Sequence, residues 1–144
     1  MQLHDIGHYY GLLDSLEPGT LEQYDAEEAG IQYGGGTEYE DTGGAFGFSA
    51  MDRAEQAALL QALDRHLVKT SRTNYRTPSS YGLKHIAEDY LGRYTSNLQL
   101  KVAMRLLGFK RGRDDLNPHY NVSKKSTDIF RFCADYAKKR RREW

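Results

Sequence analysis

SSYGLKHIAEDYLGRYTSNLQLKVAMRLLGFKRGRDDLNPHYNVSKKS, from Ser79 to Ser126, holds the strongest structural signal in the chain. Ser79 or Ser80 is placed to cap a helix. Leu83, Ile86, Ala87, Tyr90 and Leu91 then fall at i, i+3, i+4, i+7 and i+8, the stripe of a helix that faces a core. Gly92 stands where a left-handed helix terminus favours glycine. Only Arg93 and Tyr94 separate it from Thr95 or Ser96, either of which caps a second helix. So short a connection forces the two helices to cross, as in a helix-turn-helix. In the second helix Leu100, Ala103, Met104 and Leu107 form the core stripe, and Gly108 ends it. Asn97, Lys101 and Arg105 are spaced by four and lie together off that stripe, suited to bases and phosphates. Leu98, Val102 and Leu106 lie on or beside the same outward side, so another element, a second subunit or a protein partner is expected to cover part of this helix. From Phe109 to Val122, Gly112 and Asn117-Pro118 are turn signals and Tyr120 and Val122 alternate. That pattern predicts a two-stranded wing with Lys110, Arg111 and Arg113 near its tip.

On either side of this stretch the pattern is helical again. Ser49 to Lys69 predicts a helix with Ser49 as N-cap and a stripe of Leu59, Leu63, His66 and Leu67. A polar, basic loop follows from Lys69 to Pro78, carrying Arg72 and Arg76. Beyond Lys124 and Lys125, the residues Ile129, Phe132, Cys133, Tyr136 and Ala137 give a last helical stripe. The run Lys138, Lys139, Arg140, Arg141 and Arg142 then leads to Trp144. Residues 1–50 hold ten of the fourteen glycines and five of the eleven tyrosines. Short helices are expected over His4–Leu13 and Thr20–Glu28, with two small strands, Ile31–Tyr33 and Thr37–Tyr39, about Gly34-Gly-Gly36. The fold class expected is therefore α+β and mainly helical. A winged helix-turn-helix-like domain would occupy residues 49–144, preceded over residues 1–48 by a Gly/Tyr-rich acidic arm or small β-hairpin.

The formal net charge of +0 conceals a polarity. Residues 1–50 contain ten acids and no Lys or Arg, so all twenty Lys and Arg fall after residue 50 beside the other ten acids. Such asymmetry points either to a nucleic-acid-binding domain with an acidic arm or to two halves that neutralise one another across an internal interface. At 28% charged residues, with a mean hydropathy of -0.75, no apolar run suits a membrane span. The opening MQLHDIGHYYGLL lacks a basic region and a small-residue cleavage site and does not read as a signal peptide. The single cysteine, Cys133, has no internal partner for a disulfide, and a reducing, cytoplasmic setting is expected.

Reaction chemistry finds little footing. His4 and His8 with Asp5 share a helix face as metal ligands sometimes do, but no third ligand is placed near them. Cys133 sits in a helical stripe, as a small buried hydrophobe does. Asp114-Asp115 suits a turn as well as a metal, and Gly34-Gly-Gly36 lacks the Lys-Ser/Thr that completes a phosphate loop. No Ser-His-Asp or paired-carboxylate arrangement emerges. The expectation is a non-enzyme with no cofactor and no metal.

The run TSNLQLKVAMRLLGFK, Thr95 to Lys110, resembles the winged-helix modules of phage and plasmid proteins, including those ending phage-type primases. SSYGLKH, Ser79 to His85, with YTSN, Tyr94 to Asn97, is similar to small proteins of phages and mobile elements. Together these cover about 50 of the 144 residues. The resemblance implies DNA, or RNA in its place, as partner of a basic surface. That surface would comprise Lys69, Arg72, Arg76, Asn97, Lys101, Arg105, Lys110, Arg111, Arg113, Lys124, Lys125 and residues 138–142. In composition and size the acidic segment also resembles the nucleic-acid mimics among phage anti-restriction and anti-CRISPR proteins. That likeness implies an inhibitor of a host nucleic-acid-guided defence complex, bound through Asp25, Glu27, Glu28, Glu38, Glu40 and Asp41 or through the Leu98, Val102 and Leu106 strip. A homodimer through the same strip is a third expectation.

Overall fold

The computed structural model describes residues 3–30 and 46–143. Within them the chain forms six α-helices: α1 (Ile6–Asp14), α2 (Thr20–Ala29), α3 (Arg53–His66), α4 (Ser80–Leu91), α5 (Asn97–Leu106) and α6 (Lys124–Arg142), with a 3-10 turn at Phe48–Ala50 before α3. The expected strands at Ile31–Tyr33 and Thr37–Tyr39, and Glu38, Glu40 and Asp41, lie outside the described residues.

Local chemistry explains most helix boundaries. The Asp5 carboxylate caps α1 by accepting the His8 N–H at 3.3 Å. At α3 the cap is Asp52, not Ser49, and Glu55 completes a capping box. Ser49 is engaged elsewhere: its N–H and hydroxyl both donate to Asp25, as does the Phe48 N–H. Ser96 and Gln99 form the same reciprocal box at α5. Gly92 closes α4 with φ of 75°, a left-handed conformation that side chains rarely adopt. A Cβ there would also strike the Arg141 guanidinium.

The expected α+β winged helix-turn-helix is corrected to an all-helical arrangement, because the described residues contain no strand. Residues 110–122 do turn back, with the Gly112 N–H donating to the His119 carbonyl and the Asn121 N–H to the Lys110 carbonyl. The pairing stops at isolated bridges, Arg111 with Tyr120 and Lys69 with Val122. Gly112, the two aspartates and Asn117-Pro118 leave no uninterrupted run for a ladder, and Pro118 has no N–H to give. The helix expected to lie on nucleic acid is corrected too. Every residue of α5 from Leu98 to Met104 is buried, so it is the central helix of the molecule. A helix apolar around most of its circumference has no free face.

α2, α3 and α4 all pack on α5, while α1 packs on α3 and α6 packs on α4 and α3. The core joins Tyr9, Leu13, Ala29 and Phe48 to Leu60, Leu63, Leu83, Ile86, Leu98, Val102, Met104 and Phe130. The described part of residues 1–48 is thus built into the same core as the rest. None of the described helices is long and apolar enough to cross a membrane.

Candidate functional site

The acidic α2 lies along α5 and meets the cations that the sequence placed outward. Lys101 has no exposed surface, and its ammonium donates to the Glu28 carbonyl at 3.1 Å and the Leu116 carbonyl at 3.3 Å. Arg105 pairs with Glu27 at 2.8 Å and Glu28 at 3.3 Å and stacks over the Tyr24 ring at 3.8 Å. Arg111 reaches back from the following loop to pair with Glu28 as well. Hydrogen bonds from Gln23 and Arg105 hold Glu27 below the usual carboxylate range. Asn97 is also internal, joined to the Ser80 hydroxyl, the Leu116 carbonyl and Asn117. The two charge halves therefore touch, and this seam uses up the recognition face expected on α5.

The anchors expected for a protein partner are internal for related reasons. Leu98 and Val102 are fully buried, and Leu106 packs against the core. Asp25, also fully buried, accepts the Phe48 and Ser49 N–H groups. Of the acids named for mimicry, Glu28 is buried in the seam and only Glu27 among those described is exposed.

A different set of cations remains on the surface. The α3–α4 loop and the turn-back after α5 are tied together by backbone bonds: Thr70 N–H to the Asn121 carbonyl at 2.9 Å, and Asn74 N–H to the Tyr120 carbonyl at 3.0 Å. The Asn121 side chain adds one more across them, donating to the Thr70 carbonyl, and accepts from the Lys110 N–H within the turn-back. This stitching brings Lys69, Arg72 and Arg76 to the same edge as Lys110 and Arg113. All five side chains are exposed, and none has an acidic partner among the described residues. Arg113 lies over the Tyr75 ring at 4.9 Å, and Tyr75 sits 5.4 Å from the His119 ring. Gly112 lets them approach, since a Cβ there would fall on the Tyr75 hydroxyl and Thr73. Asp114 and Asp115 flank the edge, and Asp115 is turned to the Asn117 N–H.

The remaining named cations stand apart from that edge, on α6. Lys124 pairs with Asp128 at 3.0 Å, and Lys125 is exposed one residue on. Lys138 pairs with Asp89 at 3.5 Å, while Arg141 caps α4 through the Asp89 and Tyr90 carbonyls. Lys139, Arg140 and Arg142 are exposed. Sequence reasoning missed one group here, the exposed Tyr81 and Tyr94, whose rings bracket the Lys84 ammonium at 5.5 and 4.9 Å. Tyr81 and His85 at i, i+4, off the stripe of α4, were the available signal.

His4 and His8 stack ring on ring at 3.8 Å, and no group of three His, Cys, Asp or Glu suited to a metal occurs among the described residues. No protein-family model matches the chain, and neither does any curated protein or solved structure.

Proposed function

We propose that the chain is a non-enzymatic, cytoplasmic protein that binds nucleic acid through Lys69, Arg72, Arg76, Lys110 and Arg113. The observation that carries this reading is the contrast between the two sets of cations. Arg105 on α5 and Arg111 after it pair with α2 carboxylates and Lys101 is enclosed against backbone carbonyls, whereas these five converge from two distant segments without acidic partners among the described residues. Even with Asp114 and Asp115 beside them the edge keeps an excess of positive charge. Guanidinium and ammonium groups at such an edge grip phosphates, and Tyr75 and His119 add ring faces for an unpaired base.

The test is binding of labelled double-stranded DNA, single-stranded DNA and RNA across a salt series. Neutralising five phosphates gives a slope of log K against log salt of about -4.5 on duplex DNA. Lys110→Ala and Arg113→Ala are each expected to reduce that slope by about 1. Arg105→Ala is expected to leave it unchanged, because that guanidinium already faces Glu27 and Glu28. Absence of binding to all three ligands at low salt would overturn the proposal, as would binding indifferent to the five cations.

A further inference from the structure

The last helix has a second stripe that the described residues leave uncovered. Its inner face is Ser126, Thr127, Phe130 and Ala134, all buried. On the opposite face Ile129, Phe132 and Tyr136 are 49%, 73% and 57% exposed. They follow one another at i, i+3 and i+7, with Lys125 one turn before and Glu143 two turns after on the same line. A shallow, mainly apolar pocket of about 230 Å³ between Val68 and Ile129 extends the stripe at one end. From Lys125 to Glu143 the line is about 27 Å long at 1.5 Å per residue.

The geometry points to a second copy of this chain as the occupant, docked antiparallel along α6 about a two-fold axis level with Ala134. In a two-fold pair, residues equally far from the axis meet, each contact occurring twice. Phe132 and Tyr136 are equidistant from Ala134, so each ring meets the other kind on the second copy. Lys125 and Glu143 are equidistant as well and form an ion pair at each end. Asp128, on the flank beside Phe132, falls next to Lys139 and Arg142 of the second copy. Ile129 and its pocket receive the aliphatic stems of the second copy's Lys139 and Arg140. The like pair that results, Asp135 near the axis, lies between Arg131 and Lys139 of its own helix, four residues to either side.

Other occupants fit less well. A parallel, in-register pair would set Lys125, Asp128 and Arg140 each against its own kind. An anionic membrane surface or a nucleic acid would engage Lys125, Lys139 and Arg140 but leave Asp128 and Glu143 of the same face against phosphate, whereas the antiparallel pair gives both acids cationic partners. One helix pair of this length is at the small end of stable interfaces, so a dissociation constant of about 1–100 μM is expected.

Sedimentation equilibrium of the full chain from about 1 μM to about 1 mM, without nucleic acid, reads this directly. A monomer–dimer equilibrium is expected. Phe132→Glu is expected to raise the dissociation constant at least about 100-fold, as loss of a central aromatic does. Glu143→Lys and Lys125→Glu are each expected to weaken the pair about 5- to 10-fold, and the double variant to restore it. All three positions are exposed, and an unchanged circular dichroism melt confirms folding. A single-copy mass at every concentration overturns the inference. So does a dimer indifferent to Phe132→Glu, or a double charge reversal no tighter than either single one.

Discussion

Lys101 shows how far a side chain's surroundings can depart from its chemical type. Its ammonium is enclosed between α2 and the loop before Asn117, holding the carbonyls of Glu28 and Leu116. Lys101→Ala removes a charged donor and leaves both acceptors in a dry site. The expected loss is about 2–4 kcal/mol in chemical denaturation, with Lys101→Met costing less because it keeps the stem. His66 makes a second residue-scale prediction. Its ring lies 4.8 Å from both Tyr90 and Phe130, and its Nδ1 donates to the Ala62 carbonyl at 2.8 Å. Burial pushes its pKa down, so the folded state favours the neutral ring. The unfolded chain then binds the extra proton, and stability falls as pH drops below the ordinary histidine value of about 6.5. Thermal melts should show that decline as pH falls below about 6.5, and His66→Phe should flatten it.

Among the elements, α5 and α6 show where the sequence was legible and where it misled. The helices at 80–91 and 97–106, the Ser96 cap and the Gly92 terminus follow from local chemistry and are present, while Ser79 stands at the N-cap of the first helix without a side-chain hydrogen bond. Which faces are buried does not follow from one helix at a time. In α5 the apolar Leu98, Val102 and Leu106 signalled a covering element, and that element is α2, whose mixed composition hid its role. In α6 the larger stripe, Ile129, Phe132 and Tyr136, suggested a core. The helix instead packs through Phe130 and the small residues Ser126, Thr127 and Ala134, which fit closely against α4 and α3. Size and apolarity favoured the wrong side, because close approach of helices selects small residues. The wing failed for a related reason: turn residues were readable, but whether a ladder forms between them is a tertiary matter. Glu28→Ala tests the α2 contact at this scale. It strips a common partner from Arg105 and Arg111, and hydrogen exchange in α2 should rise with a destabilisation of about 2–3 kcal/mol.

For the molecule as a whole, the acidic segment that suggested a free arm is tied to the basic part among the described residues through Asp14 with Arg53, and Glu27 and Glu28 with Arg105 and Arg111. Deleting residues 1–48 would take Tyr9, Leu13, Ala29 and Phe48 out of the core and expose the cations of α5. The expected result is a melting temperature lower by at least about 10 °C, or no cooperative transition. An unchanged melt would show that the helical remainder stands alone. The seam also has a direction in time. Glu28 precedes Arg105 by 77 residues, so the carboxylates of α2 leave the ribosome before the guanidinium they pair with. A negative segment stands off from the RNA that lines a ribosome's exit, where an unpaired basic helix would adhere. By the order of synthesis alone, the Arg105 guanidinium emerges to find its carboxylates already waiting.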